Sequence, residues 1–213
     1  MSERSLSKRT SYAVLQVLAQ GLGILLFSIR FLGREHIPVE GGVLVCSNHQ
    51  SFFDPVLVGM GFRRRLNYLA RKTLFRFYVF RWLIEFLDAI PIDREGGGLG
   101  GLKETLKRLK RGELVLIFPE GTRTRDGEVA ALKPGFVALA RRSKTPLLPV
   151  AVDGAYDAWP REAKFPRRSR VSVSIGPPMM PEYVRTLTDE QLVAELERRI
   201  RHCHAVARRM CRR

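Results

Sequence analysis

Five short apolar runs, each closed by a polar or glycine-containing loop, limit what this chain can fold into. They are Val43–Ser47, Leu66–Ala70, Leu114–Phe118, Leu147–Val152 and Val171–Ile175. Runs this short and this rich in branched residues suit strands covered on both faces. Helix-like stretches separate them. Asp54-Pro55 opens one, with Asp as the cap and Pro as the first helical residue. Leu74–Leu87 is another, dense in aromatics and arginines. A glycine-rich connector (Gly96–Gly98, Gly100, Gly101) leads into the amphipathic segment LKETLKRLKR, which stops at Gly112. A further helix starts at Pro134, and Thr188-Asp189-Glu190-Gln191 has the capping-box pattern for a closing helix that ends in arginines. Alternation of this kind predicts an α/β sandwich, with a mostly parallel or mixed central sheet and flanking helices. No repeat or linker divides the chain, so residues 35–213 form one domain that closes on a basic helix over 188–213.

Residues 1–34 are a separate matter. No charge falls between Arg9 and Arg30, and the stretch is largely apolar. About 20 such residues cross a bilayer. Gln16 and Gln20 interrupt the run, and cations flank both of its ends. Spanning, lying in the interface, and packing as an ordinary buried helix all stay open, with membrane association the expectation. The charge points the same way. Against 21 acidic residues the chain carries 37 lysines and arginines, a formal net charge of +16, so a polyanionic partner is expected. Arg63-Arg64-Arg65, Arg71, Lys72 and Arg76 lead into Phe75, Phe77, Tyr78, Phe80, Arg81 and Trp82, a mixture suited to lipid headgroups. A buried aromatic face beside a solvated charged one would give the same pattern. Cys46, Cys203 and Cys211 form no CxxC pair, which favours a reducing compartment without thiolate metal sites. The expected location is therefore the cytoplasmic face of the cell membrane.

The polar loop after the first run reads Asn48-His49-Gln50-Ser51-Phe52-Phe53-Asp54. A strand end feeding a helix is where α/β folds place reactive groups. Asp54 would hold one ring nitrogen of His49 and leave the other to take a proton from a hydroxyl. The plainer reading, that Asp54 caps a helix and His49 is a loop histidine, is equally compatible with these residues alone. Phe118-Pro119-Glu120-Gly121-Thr122-Arg123 makes a second shaped loop at a strand end, where the planar fork of Arg123 suits a phosphate. Ile90-Pro91-Ile92-Asp93-Arg94 offers another cation, and Leu148–Val152 reads as plain core strand around Pro149.

In this order the four segments resemble the glycerolipid acyltransferases, the group that includes 1-acylglycerol-3-phosphate acyltransferases. That family carries a histidine, four residues and an aspartate, here His49 and Asp54, and the likeness extends over a motif core of about residues 43–154. FPEGTR downstream of the pair is the specific part. The resemblance implies that His49 is the general base and Asp54 its orienting partner. It implies that Arg94, Glu120, Gly121, Thr122 and Arg123 hold the acceptor, and that the Pro149 strand helps line the donor path. The implied reaction takes an acyl group from acyl-CoA or acyl carrier protein to a lysophosphatidic acid-type acceptor, without cofactor, metal or acyl-enzyme. Pro91 stands where the second block often carries a bulky apolar residue.

Rival readings are weaker. Ser51 lacks a G-x-S-x-G elbow, the glycine cluster lacks G-K-[ST], and Cys46 reads as a small buried hydrophobe. His202-Cys203-His204 does not put its histidines on one helical face. Another lysolipid or glycerol phosphate as acceptor is one alternative. A basic nucleic-acid-binding protein is another, although the chain carries no nucleic-acid motif and none is expected as a partner.

Overall fold

The computed structural model describes residues 28–71, 90–92, 99–160, 162–163 and 165–212. The expected amino-terminal helix, the Leu74–Leu87 helix, Gly96–Gly98 and Arg94 lie outside the described residues. Among the described residues, no helix is long and apolar enough to cross a membrane.

The strands are β1 (Arg30–Leu32), β2 (Val43–Ser47), β3 (Leu66–Arg71), β4 (Ile90–Ile92), β5 (Leu114–Ile117), β6 (Leu147–Asp153) and β7 (Ser172–Ile175). They form one sheet in the order β1-β7-β6-β2-β5-β3-β4. From β6 to β4 all pairs are parallel, whereas β7 runs antiparallel to β6 and carries β1 parallel to itself. The mixed sheet agrees with the expectation. Its two outermost strands, β1 and β4, were not readable from sequence, because three residues are too few to show a period.

The helices are α1 (Asp54–Met60), α2 (Leu99–Lys110), α3 (Val137–Ser143), α4 (Ala155–Ala158), α5 (Pro181–Thr186) and α6 (Asp189–Cys211). Successive side chains along a strand point to opposite faces. On one face Val43, Val45, Leu148 and Val150 meet Leu57 and Val58 of α1. On the other, Leu44, Cys46, Leu147 and Ala151 meet Leu192, Leu196 and Ile200 of α6, with Val137 of α3 and Leu109 of α2. Burial on both sides is why these strands read as continuous apolar runs. Gly112, at φ +81°, ends α2 as expected and donates its amide to the Leu109 carbonyl. The start of α2 differs. The helix takes in Gly100 and Gly101, assigned above to a connector, and the Gly101 carbonyl accepts a bond from Thr105 Oγ1 inside it. The capping box at Thr188 and Gln191 forms as its sequence predicts.

Arg64 shows where part of the basic cluster goes. Its guanidinium donates to the carbonyls of Pro38, Gly41 and Gly112, tying together the segments that lead into β2, β3 and β5. These contacts pin the sheet at its amino-terminal edge, so this arginine serves the fold and not a headgroup. Leu196 is fully buried beneath the sheet. Leu196→Ala should therefore cost about 2–5 kcal/mol of unfolding free energy in denaturant titrations, since the cavity cannot fully collapse.

Candidate active site

Because β2, β5 and β6 are parallel neighbours, their carboxyl ends meet at one edge of the sheet. β5 lies on one side of β2 and β6 on the other, which opens a crevice above β2. The loop that leaves β2 is anchored there by amide side chains. Asn48 Nδ2 donates to the Val152 carbonyl at 2.9 Å and its Oδ1 accepts the Val152 amide at 2.8 Å, adding one rung to the β2–β6 ladder. Gln50 uses all its positions. Oε1 accepts the amides of Ala155 and Tyr156, Nε2 donates to the Gly127 carbonyl, and the same nitrogen lies 3.2 Å from His204 Nε2.

Between these anchors the chain folds over its own carboxylate. Asp54 Oδ2 accepts from His49 Nδ1 at 2.8 Å, from the Gln50 amide at 2.6 Å and from the Ser51 amide at 2.7 Å. Asp54 has no solvent exposure. The sequence reading of Asp54 as a helix cap is corrected here: Phe53 holds the cap position and Asp54 is already helical. Its carboxylate turns back to the loop, where three donors converge, instead of forward to the amides of its own helix. His49 Nε2 accepts or donates no hydrogen bond among the described residues, and the ring remains partly open to solvent.

The FPEGTR loop leaves β5 and holds His49 from the other side. Phe118 stacks on the imidazole, with centroids 3.9 Å apart and planes 14° from parallel. Gly121, at φ +73°, closes a turn by donating its amide to the Phe118 carbonyl, which sends Glu120 inward. Glu120 Oε1 accepts the His49 amide at 3.0 Å, and the Thr124 amide donates to the His49 carbonyl at 2.8 Å. Both main-chain groups of the histidine are thus fixed. Burial pushes the Glu120 carboxyl up to about 7 against the pull of the His49 amide, and the neighbouring Asp54 adds to the rise. Arg123 lies with its guanidinium carbon 3.4 Å from the centroid of Phe52, while Thr122 is exposed.

The structure therefore brings together His49, Asp54, Glu120, Gly121 and Arg123. Arg94 lies outside the described residues, two positions beyond β4, whose carboxyl end falls on this same edge. Pro149 is elsewhere: it pairs with Cys46 inside the sheet and gives its carbonyl to the Gly176 amide beneath α6. Cys46 is buried, and burial pushes its thiol well above the usual range. His202 is exposed and Cys203 and His204 are buried, so the three do not converge. Sequence reasoning gave no role to Asn48, Gln50 or Thr124, and weighed His204 only as a metal ligand. His204 stands 3.0 Å from Asp153 Oδ1, with Arg208 on the same carboxylate, and backs Gln50 from the closing helix. The available signal was two amide residues flanking a loop histidine. Lys133 was also missed, and its side chain runs alongside Gly121, which brings a cation to this loop.

A buried carboxylate holding a partly exposed imidazole at the ends of parallel strands is an arrangement suited to base-assisted chemistry. The sequence model of the Acyltransferase family matches residues 28–153, more than half of the chain. A 1-acyl-sn-glycerol-3-phosphate acyltransferase of Bacillus subtilis is 32% identical over 79% of this chain and 83% of its own length. One of Pseudomonas aeruginosa is 36% identical over 70% of this chain, which spans 58% of that relative. The crystal structure of the 1-acyl-sn-glycerophosphate (LPA) acyltransferase from Thermotoga maritima superposes with a TM-score of 0.83 at 24% identity, covering 100% of this chain and 85% of that one. That likeness establishes the fold. The chain belongs to the acyltransferase family, and it is an enzyme.

Glu120 supplies a test of the geometry. Its folded value near 7 lies above the ordinary 4.5, so the folded protein holds a proton that the unfolded chain has released. The contribution of Glu120 to stability therefore falls as pH rises through that window. Glu120→Gln keeps an oxygen for the His49 amide and cannot titrate. Relative to the parent, the variant should gain unfolding free energy as pH rises across the window in urea titrations; a constant difference would contradict the buried carboxyl.

Proposed function

We propose that the enzyme transfers a fatty acyl group from an acyl thioester to the free hydroxyl of 1-acyl-glycerol-3-phosphate, giving phosphatidic acid for phospholipid biosynthesis. The observation that carries the reading is the His49–Asp54 pair, with Nδ1 held at 2.8 Å and Nε2 free among the described residues. Asp54 fixes the ring so that Nε2 faces the crevice. There it removes the hydroxyl proton as the oxygen attacks the thioester carbonyl. The tetrahedral intermediate collapses with loss of the thiolate, which takes the proton back from His49. A carbon–oxygen bond replaces the carbon–sulfur bond, and no metal or covalent acyl-enzyme is required.

The acceptor's phosphate would be held by Arg123, with Lys133 and Arg94 as further cations. Glu120 acts on this chemistry through the His49 backbone, and Gly121 through the turn it permits. The names of the Bacillus and Pseudomonas relatives support the acceptor. Coenzyme A or acyl carrier protein would carry the donor. A lipid acceptor and the net charge of +16 support work at the cytoplasmic face of an anionic membrane.

His49→Ala should abolish turnover, by about 10²–10⁴ or more, with folding intact by circular dichroism. The assay sets purified protein against a panel of lysolipids with both thioester types. Activity confined to acceptors without a phosphate would refute the role of Arg123, and turnover by His49→Ala near the parent level would refute the base.

A further inference from the structure

The segment from Trp159 to Arg170 was not part of any motif, yet it returns to the catalytic edge. It follows α4 at the end of β6 and leads into β7, where Asp153 pairs with Ser172. Its sequence, WPREAKFPRRSR, holds five cations and a single acid, Glu162; Arg161 and Lys164 lie outside the described residues. Phe165 is 78% exposed, and Arg167, Arg168 and Arg170 are exposed near it in sequence. A lone exposed phenylalanine is ordinary on a protein surface. Here it sits in a loop fastened to the histidine loop. The Trp159 ring lies 4.6 Å from that of Phe53, and its carbonyl accepts Ser51 Oγ at 3.0 Å. Trp159 Nε1 donates to the Ala163 carbonyl, and the Arg167 amide donates to the Ala158 carbonyl, which closes the loop at its base. Next to it Phe52, 42% exposed, lies under Arg123. The chain itself enters the sheet at this edge, since Arg30 of β1 pairs with Ser172.

We propose that the Trp159–Arg170 loop is an interfacial anchor that seats the catalytic edge on an anionic phospholipid surface. Phe165 enters the headgroup layer and the arginines contact lipid phosphates, an arrangement suited to an aromatic ring flanked by cations. Because Ser51 and Phe53 belong to the loop that carries His49, seating the anchor sets the height of the crevice above the bilayer. The inference rests on the lipid acceptor proposed above and adds the surface that presents it.

The test uses the full chain and vesicles of phosphatidylcholine alone or with phosphatidylglycerol. Phe165→Trp should show tryptophan quenching by brominated lipid beyond that of the parent. Arg167→Glu with Arg168→Glu should weaken flotation with anionic vesicles by about fivefold or more per charge removed, and change phosphatidylcholine binding little. The doubly charge-reversed variant should retain parent turnover of a short-chain lysophosphatidate that is monomeric in water, while losing turnover of the same headgroup in vesicles, and Phe165→Trp should retain both. Unchanged quenching and unchanged flotation would overturn the anchor. So would an equal loss on both substrates, which would place the loop in the catalytic fold, or a loss seen only with an acidic acyl-carrier protein as donor, which would make the partner a protein. Failure of the parent to acylate the monomeric lysolipid would instead count against the proposed reaction, with vesicle binding still reporting on the anchor.

Discussion

Three donors converge on one oxygen of Asp54, and the working end of this protein is built around that convergence. A carboxylate taken out of water is costly unless hydrogen bonds replace its solvent. His49 Nδ1 and the amides of Gln50 and Ser51 do so within a loop of six residues, His49 to Asp54. Satisfying this oxygen and orienting the imidazole are therefore one event. The same contacts that make the buried aspartate tolerable leave Nε2 as the free corner of the ring.

The loop would not hold this shape alone, and its supports come from distant parts of the chain. Asn48 continues the ladder onto β6, Gln50 is gripped by the start of α4 and by Gly127, and the β5 loop takes both main-chain groups of His49. Even the closing helix contributes, through His204 behind Gln50. Apart from His204, these supports lie at or beyond the carboxyl ends of neighbouring parallel strands, which is the reason a parallel block suits such a site. Positioning of this kind matters because a displacement of about 1 Å can cost about 10²-fold in rate.

Much of this was legible in the sequence. The five central strands announced themselves because both faces are covered, which leaves little room for polar residues. Thr188 and Gln191 marked the closing helix because capping is a local interaction. His49, Asp54 and FPEGTR were legible as chemistry, but their mutual arrangement was not. Whether Asp54 faces its helix or its loop depends on which donors come near it, and the folded loop decides that. The same holds for Glu120, read as an acceptor ligand yet turned onto the His49 amide, and for Arg64, read as a headgroup contact yet tied to three carbonyls. Edge strands β1 and β4 escaped because their partners, and not their own pattern, define them.

The account stands on Asp54 acting through the orientation of His49. Steady-state kinetics of Asp54→Asn at saturating thioester test this most directly, since the amide preserves shape while changing what Nδ1 can bond. The account predicts a fall in kcat of about 10³–10⁴ with the acceptor KM little changed, as expected when a base loses its orienting carboxylate. A variant with kcat within about tenfold of the parent would contradict it, and Asp54 would then be a structural residue beside an independently competent histidine.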